Sequence, residues 1–290
     1  MTIFNADSLS GLMRDLGAQF KLEHPGAQVH AEGSGSLDAI RKVTDLHLPG
    51  DMVISADWRL LAKPRSGIDR WVIIFAGNSM GLLYTNGSKY AKEITAENWY
   101  RVITRPGVRY GYSNPERDPA GYWTLILWRL AERYYHRPGL AARLAADCPP
   151  SNIRPHSIYL IALLQSGELD YYFGYASDAR LGNLDFLALP SAINLGDFAK
   201  KTAYQAVTIE IGSGARRHRI QGAPIAFGAT LTSNPANPKG ALAFMKLMLS
   251  RQGQKLVRKN GLIAYPQCFA FDPGHTMPAE LNSLCRPLAQ

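Results

Sequence analysis

Apolar and polar positions along the chain alternate between two periods. Thr2 to Asn5 reads as a short strand, and the loop Ala6-Asp7-Ser8-Leu9-Ser10 opens a segment with Leu12, Met13, Leu16 and Phe20 on one helical face. His24-Pro25-Gly26 stops that helix. Gln28 to Glu32 alternates as a second strand, and Gly33-Ser34-Gly35-Ser36 leads into a helix through Leu37, Ile40 and Val43. This β-α-β-α order predicts a parallel sheet with crossover helices. Met52 to Ala56 adds a third strand that ends at Ser55-Ala56-Asp57. Loops that leave strands and enter helices are where open α/β sheets bind their ligands.

Further along, Trp71 to Phe75 and Met80 to Thr85 pattern as strands, Tyr90 to Ile103 as a helical region and Arg109 to Tyr112 as a strand. That strand feeds the polar turn Ser113 to Asp118. Asp118-Pro119 is a helix-start signature, because an Asp side chain accepts orphan backbone N–H groups and proline loses nothing at the first helical position. The helix carries Tyr122, Leu125, Ile126, Trp128 and Leu130 toward Tyr135, aromatics read first as core. Arg143 to Pro155 reads as loop-rich, Ser157 to Ser166 as a helix, Leu169 to Tyr175 as a buried strand and Asp185 to Leu189 as another. A short helical turn is expected after Ala176-Ser177-Asp178. A hairpin is predicted around the basic tip Gly212 to His218, then an apolar strand Ala223 to Leu231, helices through Phe244 and Met248 and through Lys259, and a loop-like tail after Tyr265.

With 290 residues, 46% of them hydrophobic, the chain can build two lobes, each with a core. The formal charge of +9 permits an anionic partner without specifying one, and the sequence carries no nucleic-acid signature. Cys148, Cys268 and Cys285 form no C-x-x-C pair; a Cys268–Cys285 disulfide and free or buried thiols are both open readings. No apolar run reaches the roughly 18 residues that span a bilayer. Met1 leads directly into a strand, so the sequence reads either as cytosolic or as lacking a segment removed on export.

Two stretches carry candidate chemistry. The Gly/Ser loop lacks the lysine and spacing of a nucleotide P-loop and the full dinucleotide pattern. It reads either as a helix cap or as a loop whose Ser34 or Ser36 hydroxyl and N–H groups donate to an anion. The Asp118 turn points a helix N-terminus at one spot, where anions are favoured. A carboxylate there would repel an ordinary anion unless it is protonated or bonds to a metal centre. Neither a G-x-S-x-G elbow nor an H-E-x-x-H pair is present, so the sequence gives no ground for catalysis and no catalytic residue is expected.

Several segments together resemble the archaeal-type tungstate- and molybdate-binding proteins of ABC transporters, members of the periplasmic-binding-protein superfamily. They are FNADSLS (4–10), EGSGSLDAIRKVTDL (32–46), ISADWRL (54–60), the run from Met80 to Trp123, LIALLQSGELDYYFGYAS (160–177), IQGAPIAFGATLT (220–232) and ALAFMKLMLSRQGQKLVRKNGL (241–262). NWYRVITRP followed by SNPERDPAGY is the most specific part.

The resemblance implies an α/β fold of two lobes (type II), each a mixed sheet flanked by helices. Lobe I would comprise residues 1–82 and 225–290 and lobe II residues 83–224. They would be joined near Leu82-Leu83-Tyr84 and Pro224-Ile225-Ala226, with a cleft between them and hinge closure on ligand. It implies a non-enzymatic receptor that passes tungstate or molybdate to a membrane permease, monomeric, without cofactor and without nucleic acid, periplasmic or extracellular, either free or membrane-anchored. Alternatives are a receptor for sulfate or another anion, and a non-transport binding protein with a degraded site. Ligand contacts map to Ser8, Ser36, Ala56, Tyr175 and Asp118, with Asp118 directed at the metal of the oxyanion, since hard, high-charge centres prefer oxygen donors. The chain departs from the family's pattern at Gly174, where a second coordinating carboxylate is usual, and at Asp7, where glycine is usual. A carboxylate at position 7 is unfavourable unless it points away, is protonated or meets the metal.

Overall fold

The computed structural model describes residues 1–214 and 217–288. They form two compact units, one of Met1–Gly77 with Ala226–Gln290 and the other of Asn78–Ile225. The chain passes to the second unit after Gly77, ahead of the expected crossing at Leu82 to Tyr84, and returns after Ile225.

The first stretch of the first unit runs β1 (Thr2–Ala6), α1 (Ser10–Glu23), β2 (His30–Ser34), α2 (Ser36–Thr44), β3 (Met52–Ser55), α3 (Trp58–Leu61) and β4 (Val72–Gly77). The second unit holds β5 (Met80–Tyr84), α4 (Trp99–Val102), β6 (Tyr110–Ser113), α5 (Pro119–Tyr134), α6 (Leu140–Asp147), β7 (Ile153–Arg154), α7 (Ser157–Gln165), β8 (Tyr171–Tyr175), α8 (Ala176–Gly182), β9 (Asp185–Ala188), α9 (Lys201–Gln205), β10 (Thr208–Ile211) and β11 (His218–Gln221). The chain then completes the first unit with β12 (Ala226–Leu231), α10 (Pro238–Leu249), α11 (Arg251–Lys259), β13 (Ile263–Phe271), α12 (Ala279–Asn282) and β14 (Arg286–Pro287).

In the first unit a seven-stranded mixed sheet has the order β14-β13-β4-β12-β3-β1-β2. β1 lies parallel to β2 on one side and β3 on the other, so the three loops that follow them emerge side by side at one edge of the sheet. The helical face read from the sequence is buried as expected at Leu12, Met13, Leu16 and Phe20. Phe4, Ile40, Val43, Val53 and Leu61 form a core beneath α2. The second unit repeats the principle with the order β7-β6-β8-β5-β9, in which β6 is parallel to β7 and β8. Tyr122, Ile126 and Trp128 of α5 are buried, with Trp128 edge-on to Tyr112 and Phe173. Among the described residues no helix is long and apolar enough to cross a membrane.

Three elements differ from the sequence reading. Only Trp99–Val102 of the expected helix over 90–103 is helical, because Tyr90 takes a positive φ of 61° and Asn98 Oδ1 accepts the Thr95 N–H, holding the segment in turns. The passage Arg143 to Pro155, read as loop-rich, begins inside α6, an Ala/Leu helix that runs on to Asp147 between Pro138-Gly139 and Cys148-Pro149, and continues through a single 3-10 turn at Pro150–Asn152 into β7. The tail after Tyr265, read as loop-like, continues β13 to Phe271 and then holds α12 and β14; the pairing of β13 with β4 shifts register between Ala264 and Phe269 and so passes Pro266 outside the regular ladder. In the basic hairpin tip, Ala215 and Arg216 lie outside the described residues.

Cys268 of β13 and Cys285 form a disulfide, while Cys148 is a buried free thiol. The bridge closes a loop of 17 residues. Reduction is expected to lower the unfolding free energy by about 3 kcal/mol, from the loop-closure entropy returned to the unfolded chain. Urea unfolding with and without a thiol reductant measures this, and superimposable curves would contradict it.

Candidate functional site

The predicted ligand residues fall at the C-terminal ends of parallel strands in each unit. In the first, Ser8 follows β1, Ser36 begins α2 after β2, and Ala56 follows β3. Because β2, β1 and β3 are adjacent, these positions form one cluster. The Ala56 N–H donates to Ser36 Oγ at 2.9 Å. Ser36 is fully buried. With its oxygen already accepting, its hydroxyl hydrogen is the group left to donate. Ser8 Oγ is buried and has no hydrogen-bond partner among the described residues, a costly arrangement for a hydroxyl without a ligand. The Ser8 N–H donates to Asp7 Oδ1 at 2.9 Å. Asp7 therefore does not point away from its loop.

In the second unit, the strand ends of β6, β7 and β8 run into α5, α7 and α8. Asp118 caps α5 as the sequence indicates, accepting the Ala120 N–H at 3.0 Å with Pro119 in the first turn. Its other oxygen accepts from Ser157 Oγ at 3.4 Å, and the residue is 3% exposed. The Ser157 hydroxyl lies 2.7 Å from the Tyr172 hydroxyl, which donates to Asp178 Oδ2 at 2.5 Å. Asp178 also accepts the Tyr175 N–H at 3.2 Å. Tyr175, expected to meet ligand, is fully buried. Asp118, Ser157, Tyr172 and Asp178 thus form one buried polar chain.

Gly174 acquires a physical reason in this chain. Residues 172 and 174 share a face of β8, and a Cβ at 174 would stand 2.2 Å from Tyr172 Cζ and 2.3 Å from its hydroxyl. The phenol occupies the space that a side chain at 174 would need. A buried acid is still present beside it, supplied by Asp178 in the first turn of α8. The sequence pattern predicts a short helical turn at Ala176-Ser177-Asp178 but does not join Asp178 to this network, and it gives no role to Ser157 or Tyr172. The available signals were weak: a serine opening an apolar helix, and an acid just past a strand.

Burial pushes the Asp178 carboxyl up to about 7, against the stabilising Tyr172 hydroxyl and with the nearby Asp118 charge adding to the rise. Burial likewise pushes Asp118 up to about 6, opposed first by the Ala120 N–H. Carboxyls raised in the folded state favour folding while protonated. Their contribution is complete below the unfolded value near 4 and is lost as pH rises through about 6 and 7. The melting temperature is therefore expected to fall between pH 5 and pH 8 by on the order of 5 °C, with Asp178→Asn removing at least half of that fall. Thermal unfolding followed by circular dichroism across this range is the test, and a melting temperature that rises with pH would contradict it.

In each unit, parallel strand ends run into helix N-termini beside buried hydroxyls, the edge at which open α/β sheets bind their ligands. An open groove of about 800 Å³ in the second unit, lined by Arg101, Arg105 and Arg137, contains none of these residues. Comparison with known proteins places the chain within its class: residues 1–263 match the bacterial extracellular solute-binding protein family, and the chain belongs to that family. It is 38% identical over 264 residues to a solute-binding protein of Petrotoga mobilis, covering 90% of this chain and 82% of that one. It is 34% identical over 289 residues to the molybdate/tungstate-binding protein WtpA of Thermococcus kodakarensis, covering 90% and 80%. The fold is shared with the periplasmic molybdate-binding protein of Azotobacter vinelandii, with a TM-score of 0.65 over 92% of this chain and 100% of that one at 17% identity.

Proposed function

We propose that this chain is the receptor component of an importer for a metal oxyanion, tungstate or molybdate, and that it acts by binding rather than catalysis. The observation that carries the reading is the first-unit strand ends, where a buried Ser8 hydroxyl has no partner among the described residues and the Ser36 hydroxyl, at the end of the neighbouring strand, accepts the Ala56 N–H. Two hydroxyl donors at adjacent strand ends suit a tetrahedral oxyanion that carries no proton. Ser8, Ser36 and the loop at Ala56 are the proposed donors, Asp118 and Tyr175 are further proposed contacts, and Asp118 is proposed to be directed at the metal. The molybdate/tungstate-binding relative supports the choice of ligand. A membrane permease is the proposed partner, and the protein is proposed to work as a monomer outside the cytoplasm, a setting that suits the Cys268–Cys285 disulfide.

Tryptophan fluorescence tests this, because Trp99, Trp123 and Trp128 are buried in the second unit. Tungstate or molybdate is expected to produce a saturable one-to-one change. Ser36→Ala should weaken binding at least tenfold, since a hydrogen bond to a charged group is worth about 1.5–3 kcal/mol. No saturable response to tungstate, molybdate or sulfate, by fluorescence and by calorimetry, would overturn the reading.

A further inference from the structure

Asp7 sits where an anion-binding loop would be expected to hold no charge of its own. Its carboxylate is neither turned to solvent nor set apart from the loop: the residue is 5% exposed and its Oδ1 accepts the N–H of Ser8. That N–H is one of the main-chain donors an oxyanion at the end of β1 would use. The neighbouring Ser8 Oγ remains buried without a partner among the described residues. One donor of the loop is thus engaged by the chain's own carboxylate while the hydroxyl beside it is left unspent. A carboxylate on a backbone N–H is among the stronger hydrogen bonds, and it places a negative charge within reach of any anion that uses Ser8.

We propose that Asp7 is an internal occupant of this loop, which an incoming oxyanion must displace from the Ser8 N–H, so that Asp7 sets both the affinity of the site and its preference among anions by charge. The proposal rests on the reading of the β1 to β3 strand ends as the oxyanion site. Displacement costs the bond to Ser8 and brings two like charges together. The second cost doubles from a singly charged to a doubly charged tetrahedral ion of similar size. Asp7 therefore lowers molybdate affinity more than perrhenate affinity, a difference that a purely structural residue would not produce.

The test is calorimetric titration of the full chain, of Asp7→Gly and of Asp7→Asn with molybdate and with perrhenate, at constant ionic strength. Asp7→Asn keeps the size and an acceptor for the Ser8 N–H, so it preserves the loop if glycine does not. Both variants are expected to bind molybdate at least about tenfold more tightly than the wild type, with a smaller gain for perrhenate. Binding by the variants alone would be the strongest form of the same result. Molybdate affinity that is unchanged or reduced in both variants, while the wild type binds, would overturn the proposal and leave the receptor reading intact. Failure of all three proteins to bind either ion would overturn the receptor reading and the proposal with it.

Discussion

Replacing Gly121 by alanine should cost about 3 kcal/mol of unfolding free energy, at the upper end of ordinary overpacking effects. A Cβ on Gly121 would lie 2.2 Å from the Ser113 carbonyl oxygen, 2.6 Å from the Pro115 nitrogen and 2.8 Å from the Asn114 carbonyl carbon. All three are backbone atoms, so no side-chain rotation relieves the overlap. The first turn of α5 must then part from the turn that leaves β6, and this is the turn that carries Asp118. Oxyanion affinity is expected to fall along with stability. Gly87→Ala supplies the control, because the nearest atom to its Cβ would be Thr85 Oγ1 at 3.6 Å, and its effect should stay within about 0.5 kcal/mol. Urea unfolding of the two variants decides the point; equal midpoints would mean that the close approach of α5 to β6 carries little energy.

Asp118→Asn is expected to reduce tungstate affinity by at least a hundredfold while leaving stability within about 1 kcal/mol of the wild type. The separation is possible because Asp118 has two roles that different atoms can fill. As a helix cap it accepts the Ala120 N–H at 3.0 Å, a bond that an asparagine carbonyl reproduces. As a proposed ligand it must offer an anionic oxygen to a high-valent metal, which asparagine does not. Asp118→Ala removes both roles and strands the Ala120 N–H and the Ser157 hydroxyl, so it should also cost about 2 kcal/mol of stability. Undiminished tungstate binding by Asp118→Asn would reduce Asp118 to a cap.

The features legible in the sequence were those fixed by local chemistry. The hydrophobic period of residues 2–44 specified strand, helix, strand and helix, and Asp118-Pro119 specified where α5 begins. The Gly/Ser loop and the Ser55-Ala56-Asp57 strand end were legible as candidates, yet the bond from the Ala56 N–H to Ser36 Oγ depends on β1 lying between their strands. The Tyr172–Asp178 pair was out of reach for a similar reason. It requires Tyr172 to fold across Gly174 on one face of β8 and α8 to start at once from the strand end. The sequence at Gly174 registers only the loss of a side chain; the phenol that fills its place lies two residues earlier. Asp7 was legible as an anomaly, but a carboxylate that turns back onto the next residue's N–H is a backbone event that composition does not encode. β13 was hidden by Pro266, which the register shift accommodates.

Buried serine hydroxyls at the ends of β1 and β2 are proposed to hold a metal oxyanion. Diffraction at the tungsten absorption edge from crystals grown with tungstate addresses it directly, because the anomalous signal locates the metal without reference to the protein. The expected result is one strong peak about 3–4 Å from both Ser8 Oγ and Ser36 Oγ, as hydrogen bonds to the tungstate oxygens require. A peak confined to surface lysines and arginines, or no peak at saturating tungstate, would contradict the account.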